Sequence, residues 1–329
     1  MGCAVPHWRP SATLATLKAR AELYGSVRSF FAARGVLEVE TPILSHHATV
    51  DRHIDSFAVS APRATGAAHV GFLQTSPEFA MKRLLASGSG PIFQIARVFR
   101  AGEQGRYHNP EFTLLEWYRP GFDHHALMDE LAELLAHCGI AGPCARLSYR
   151  EAFERHAGFD PHMLDACTLR ERLRARGLAE PQGLSAEEIG DADFWLDLWM
   201  SQVVGPCLGT QTPEFVYDFP ATQAALARVR PGTPPLAERF ELFWKGVELA
   251  NGFHELTDAD EQQRRFEADR RWRAAHGRSD LPYDRHLIEA LRAGLPPCAG
   301  VAVGLDRLLM LKLALPSVAE TLAFAGDRA

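Results

Sequence analysis

No apolar run in this chain of 329 residues is long enough to cross a bilayer, and MGCAVPHWRP at the N-terminus has no signal-peptide hydrophobic stretch. A membrane setting is therefore not expected. Gly2 suits N-myristoylation, but Pro6 stands where that signal requires Ser or Thr. The six cysteines, Cys3, Cys138, Cys144, Cys167, Cys207 and Cys298, form no C-x-x-C pair. Such scattered thiols point to reduced cysteines in a cytoplasmic protein. His46, His47 and His53 have neither a cysteine partner nor H-x-x-x-H spacing, so no zinc site is expected there. A basic excess is lacking too. The 35 Lys and Arg against 41 Asp and Glu leave a net charge of −6, which argues against a broad nucleic-acid footprint.

What is present is an ordinary globular composition, 47% hydrophobic and 23% charged, sized for one large domain or two small ones. The most informative stretch is IFQIARVFRAGEQGRYHNPEFTLLEWY, Ile92 to Tyr118. Ile92 to Phe99 is apolar and β-prone, Gly102 and Gly105 break the run, and Phe112 to Tyr118 resumes it. The spacing predicts a hairpin with Arg100 at the end of its first strand. Glu103, Arg106, His108, Asn109 and Glu111 fall in the loop, and Glu116 and Tyr118 share one face of the return strand. A guanidinium at a strand end suits a phosphate, because its planar fork binds two oxygens at once. Phe112 offers a flat face to a base, and Glu116 suits an ammonium. A surface hairpin with a solvated loop is the alternative.

Elsewhere, Leu14, Leu17, Ala21, Tyr24, Val27 and Phe31 recur at helical spacing, predicting a helix from Ser11 to Ala33 with Ser11 as cap and Gly35 as stop. Val36 to Glu40 alternates as a strand, and Pro42 belongs at an edge. Phe57 to Val59 and Val70 to Leu73 suit a hairpin across the loop Ala61 to Ala68. Ser76 and Glu78 stand before a helix from Phe79 to Ala86, where either is a capping candidate. Between Arg119 and Pro213 lie predicted helices at Asp123 to Cys138, Leu147 to His156 and Asp193 to Val204, a loop at Pro181 to Ser185, and no catalytic pattern. Trp195 and Trp199, four apart, read as core. Phe215 to Phe219 is a strand; Arg239 to Gly246 and Val247 to Ala250 read as paired strands, with Asn251-Gly252 as a turn signal. Across that hairpin Glu241 and Glu248 either hold Mg²⁺ through oxygen or are surface carboxylates. Asp258 to His276 is a helix whose Arg264, Arg265, Arg270, Arg271 and Arg273 are interleaved with acids. It reads as a solvated face, with acceptor docking as the lesser alternative. In AGVAVGLDRLLMLKLAL a strand turns into a helix; Gly304 permits close backbone approach and Arg307 points toward an anion.

Three of these stretches resemble motifs of class II aminoacyl-tRNA synthetases in their lysyl form. FFAARGVLEVETPIL looks like motif one, whose helix and strand form a dimer interface. FRAGEQGRYHNPEFTLLEWY is similar to motif two at Arg100, His108, Asn109, Pro110, Glu111, Phe112, Thr113, Glu116 and Tyr118, and GLDR looks like motif three. One position departs: the family has Glu two residues after the Arg, whereas this chain has Gly102 followed by Glu103. The resemblance implies an α+β fold, an antiparallel sheet flanked by helices, in one catalytic domain over 1–329. It implies ATP at Arg100, Gly102, Glu103, His108, Asn109, Phe112, Leu249, Gly304 and Arg307, with Mg²⁺ on Glu241 and Glu248. ELANGFHEL resembles the family's lysine-site string, implying that Asn251, Phe253 and Glu255 meet the substrate with Ser76, Glu78, Glu116, Tyr118 and Ala302.

The implied reaction is attack of an amino-acid carboxylate on the α-phosphate of ATP, with Arg100, Arg307 and Mg²⁺ neutralising charge. Only Met1 to Thr13 precede the first helix, so no anticodon-binding domain is expected. The chain therefore looks like the truncated lysyl-synthetase paralogues that modify elongation factor P, which implies (R)-β-lysine or lysine as substrate, a lysine ε-amine of that factor as acceptor, and a homodimer. Ala302, where the tRNA enzymes carry Gly, fits the same reading; tRNA is not expected as acceptor. The alternatives are a minimal enzyme acting on tRNA or a small molecule, and a non-catalytic lysine- or ATP-binding regulator.

Overall fold

The computed structural model describes residues 8–62, 68–140 and 142–329. Gly2, Cys3 and Pro6 lie outside the described residues, as does most of the loop expected at 61–68. In chain order the elements are α1 (Leu14–Ala32), β1 (Leu37–Glu38), β2 (Leu44–Ser45), β3 (Ala58–Pro62), β4 (Ala68–Leu73), α2 (Glu78–Ala86), β5 (Ile92–Phe99) and β6 (Glu111–Pro120). There follow α3 (His124–His137), β7 (Ala145–Ser148), α4 (Tyr149–His156), α5 (Ala166–Ala175), α6 (Ala186–Gly190), α7 (Ala192–Trp199), β8 (Glu214–Pro220) and β9 (Val229–Arg230). The chain closes with β10 (Leu236–Trp244), β11 (Val247–His254), α8 (Ala259–Ala275), α9 (Arg285–Gly294), β12 (Cys298–Gly304) and α10 (Leu305–Lys312).

The main sheet runs β1-β5-β6-β12-β11-β10-β8-β7, with β9 beside β10. It is antiparallel through its centre and parallel at both edges, where β1 meets β5 and β7 meets β8. A second sheet has the order β2-β4-β3. Helices cover the sheet because strands buried on one face need an apolar cover. The stripe Leu23, Val27, Phe30 and Phe31 of α1 packs with Leu127, Leu131 and Leu134 of α3 against Leu115, Trp117 and Phe240 of the sheet. A second cluster joins Tyr149, Phe153, Leu169, Trp195 and Trp199 beneath β8, so the paired tryptophans are core as expected.

Several sequence expectations shift. Thr13, not Ser11, caps α1, its side chain accepting from the Thr16 amide; Ser11 Oγ instead accepts from the Ala325 amide. Leu14, counted in the apolar stripe, is 69% exposed. The edge strand β1 is only two residues long, Leu37 and Glu38 pairing with Ile92 and Phe93 of β5. Leu147 and Ser148 are strand, and α4 begins after Ser148, which forms a reciprocal capping box with Glu151. After Trp199 the α7 helix continues as one wider π-helical turn, Met200–Val204. The largest correction is at Asn251-Gly252, which is no turn. Both lie inside β11, and the turn is Lys245-Gly246, both at positive φ (52° and 73°). Gly252 is needed for close approach: a Cβ there would meet the Phe240 ring at 2.4 Å.

Candidate active site

The central strands lay the candidate residues side by side. Glu116 on β6 pairs with Ala302 on β12, and Ala302 with Asn251 on β11. One row along, Tyr118 pairs with Gly300 and Gly300 with Phe253. Laterally paired residues share a face, and so do residues two apart. One sheet face therefore carries all six. Gly300 makes the second row possible: an added Cβ would lie 2.2 Å from the Tyr118 ring and 2.5 Å from Glu255 Oε1. Gly304 was the glycine expected to serve close approach, yet a Cβ there meets nothing nearer than 3.8 Å.

Above this face lies a cavity of about 280 Å³. Its walls include Arg100, Glu103, His108, Asn109 and Phe112 from the β5–β6 hairpin, and Glu248, Leu249, Gly304 and Arg307 from the opposite side. Its other end is lined by Ser76, Glu78, Glu116, Tyr118, Asn251, Phe253, Glu255 and Ala302. Two residues singled out by sequence do not line it. Gly102 has φ +80° in the hairpin loop, so its contribution is backbone shape. Glu241 pairs with Asn251 one strand further out, and its carboxylate is taken by Arg239 at 2.5 Å.

The two ends differ in charge. At one, Arg100 stands 5.1 Å from the Phe112 ring and 3.6 Å from Glu103, and its Nε is buried with no partner in the structure. A buried donor left unpaired is costly, so this guanidinium is poised for an acceptor from outside the chain. Arg307 donates to the carbonyls of Tyr107 and Glu248 and, at 2.7 Å, to His108 Nε2. Arg cannot give up its proton, so His108 accepts there as a neutral ring. Burial and then the Arg307 charge hold its pKa below the ordinary value.

At the other end, Glu116 accepts from Ser76 Oγ (2.8 Å) and Tyr118 Oη (2.7 Å). Burial first, then repulsion from Glu78, pushes its pKa up to about 8. Glu255 is pushed up to about 8 as well, by burial, while Lys82 opposes the shift and Glu78 adds to it. Sequence reasoning missed Lys82. Its side chain is buried, with Nζ 2.6 Å from Glu78 and 2.5 Å from Glu255. Burial alone would lower its pKa, but Glu255 and Glu78 raise it. The readable signal was the four-residue step from Glu78 to Lys82 on a helix. Three carboxylates against one ammonium leave two negative charges when all are ionised, which matches a ligand with two ammonium groups.

Helix α8 also differs from expectation. Gln262, Arg265, Phe266 and Asp269 line the cavity, and Arg273 is 2% exposed, bound to Asp55 and the Asp51 carbonyl. Interleaved charges concealed a face that packs inward.

A helix-flanked sheet carrying arginines at one end of a cavity and buried acids at the other is the layout expected of a class II synthetase. The chain belongs to that family: the model of class II tRNA synthetases of the D, K and N type matches residues 5–328. Among its relatives, a Salmonella dublin protein named elongation factor P–(R)-β-lysine ligase is 48% identical over 326 residues, 98% of each chain. Proteins of the same name from Salmonella paratyphi B and Salmonella heidelberg match with the same identity and coverage.

Proposed function

We propose that this chain is an AMP-forming ligase. It activates (R)-β-lysine with ATP and transfers it to a lysine ε-amine of elongation factor P. The observation that carries this reading is the cavity with two guanidiniums at one end and the Glu78–Glu116–Glu255 set at the other. The substrate carboxylate oxygen bonds to the α-phosphorus and pyrophosphate leaves. The acceptor amine then attacks the acyl carbon, losing a proton as AMP departs. Arg100 and Arg307 stabilise charge gathering on the phosphate, Phe112 stacks on adenine, and Glu103, His108, Asn109, Leu249 and Gly304 complete the nucleotide wall. Gly102 shapes the loop that presents Glu103. Ser76, Tyr118, Asn251 and Phe253 position the amino acid, whose two ammonium groups face Glu116 and Glu255 with Glu78.

In this reading Glu241 and Glu248 would hold a divalent cation, which would take the place of the Arg239 guanidinium now paired with Glu241. Burial raises the Glu241 carboxyl to about 7; Arg239 opposes the shift and Glu248 adds to it. When bound, Mg²⁺ supplies Lewis-acid neutralisation of phosphate oxygens.

We also propose that residues 1–329 act as one catalytic domain, as a homodimer in the cytoplasm. Exposed Leu37, Ile43, Leu44, Phe57 and Val70, on β1 and around the small sheet, support dimerisation. The described cysteines are free thiols, and no helix among the described residues is long and apolar enough to cross a membrane.

The test supplies labelled (R)-β-lysine and ATP with elongation factor P or bulk tRNA. Label on the factor is expected; label only on tRNA refutes the acceptor. Ala302, between Glu116 and Asn251, sets the choice of isomer in this reading. Ala302→Gly should shift the β-lysine to α-lysine preference in pyrophosphate exchange by about 10–200-fold.

A further inference from the structure

On the sheet face opposite the cavity, His124, Glu238 and His254 place ligand atoms within 4.8 Å of one another, the one such group among the described residues. His124 opens α3 and is 2% exposed, and both its ring nitrogens are buried without a hydrogen-bond partner in the structure. Asp218 Oδ1, from β8, is likewise buried and unpartnered, and lies 3.6 Å from His124 Nε2. That gap is too long for a hydrogen bond. It is close to the spacing of two ligands on one tetrahedral zinc, about 3.4 Å for bonds of about 2.0–2.1 Å. We propose that His124, Glu238 and His254 form the core of a structural site for a divalent transition metal, zinc above all, with Asp218, which lies outside that cluster beside His124, closing in as the fourth ligand.

The donor chemistry agrees. Two imidazoles and two carboxylates make a neutral zinc site, and imidazole selects zinc over magnesium or calcium. The guanidiniums nearby orient the acids. Arg230 binds Asp218 Oδ2 at 2.7 Å and approaches Glu238 Oε1 at 3.7 Å, which leaves Asp218 Oδ1 turned to His124. Arg228 stands 3.9 Å from Glu238 Oε2, and both arginines are substantially exposed (58% for Arg228, 40% for Arg230), so water screens their charge. His254 Nδ1 donates to Glu238 Oε2 at 2.6 Å, a contact that a metal held between the two side chains would replace. The site joins the start of α3 to β8, β10 and β11. His254 lies between Phe253 and Glu255, so a metal there steadies the strand that carries the amino-acid end of the cavity.

The test uses tag-free full-length protein, stripped with a chelator and titrated with zinc chloride. One zinc per chain should survive gel filtration and raise the thermal midpoint. His124→Gln and His254→Gln should each weaken binding by more than about 100-fold, since even outer-shell partners are worth about 10–100-fold. A His46→Gln, His47→Gln double variant should bind as the parent does. Absence of retained zinc, or retention unchanged in His124→Gln, overturns the proposal. Cobalt(II) gives a readout that needs no variant: an intense tetrahedral visible spectrum supports the site, and a weak octahedral one overturns it.

Discussion

Glu116 has both carboxylate oxygens hydrogen-bonded and is still pushed up to about 8, because burial and Glu78 together outweigh Ser76 and Tyr118. Glu255 behaves alike. An acid with a higher pKa folded than unfolded holds extra protons in the native state, so it stabilises at low pH and that contribution is lost as pH rises. The unliganded protein should therefore lose stability between the ordinary carboxyl value of 4.5 and about 8, and Glu116→Gln should flatten that slope in thermal melts read against pH. Diammonium ligands favour the ionised acids. Their affinity should rise over the same window with net proton release, measurable by calorimetry in buffers of differing ionisation enthalpy. At the other end of the cavity, Arg307→Ala should lower the pyrophosphate-exchange rate by about 10²–10³-fold, the worth of one preorganised donor. These acids were legible as a motif. Lys82 was not read as part of them, because a Glu–Lys step on a helix is usually a surface pair.

At the scale of elements, β12 decides whether the two halves of the site can meet. Gly300 leaves room for the Tyr118 ring and Glu255 at once, so Gly300→Ala drives a methyl into both. The expected outcome is a rise in KM for the amino acid with little change in KM for ATP, measured by exchange kinetics at varied substrate. The hairpin β10–β11 explains why one sequence signal misled. Asn-Gly is a strong turn signal in isolation, but pairing on both sides, Asn251 with Glu241 and Ala302 and Gly252 with Phe240 and Val301, holds the two residues in register. The turn falls instead at Lys245-Gly246, where β10 ends. Asp306, the acid of the last motif, is equally structural. It pairs with Arg20 of α1 and accepts from the Thr113 amide, so it locks α1 and β6 to the start of α10.

Over the whole molecule, the apolar side chains left on β1 and around the small sheet predict a dimer. Leu44→Glu, at a 48% exposed position, should shift sedimentation equilibrium toward monomer without unfolding the chain. Local order along the chain was enough to show the strand–loop–strand of the second motif, the helix before it and the strand–helix at the end, since hydrophobic period and strand propensity act over a few residues. A run of motifs spread along the chain carried the family likeness for the same reason: each is a contiguous string. Contiguity carries no information about what lies beside it in space. Only the folded sheet brought Ala302 between Glu116 and Asn251, set Lys82 between Glu78 and Glu255, and turned α8 inward to line the cavity. It also gathered His124, Asp218, Glu238 and His254, which sit as far as 130 residues apart, because strand pairing joins segments by register and burial rather than by distance along the chain.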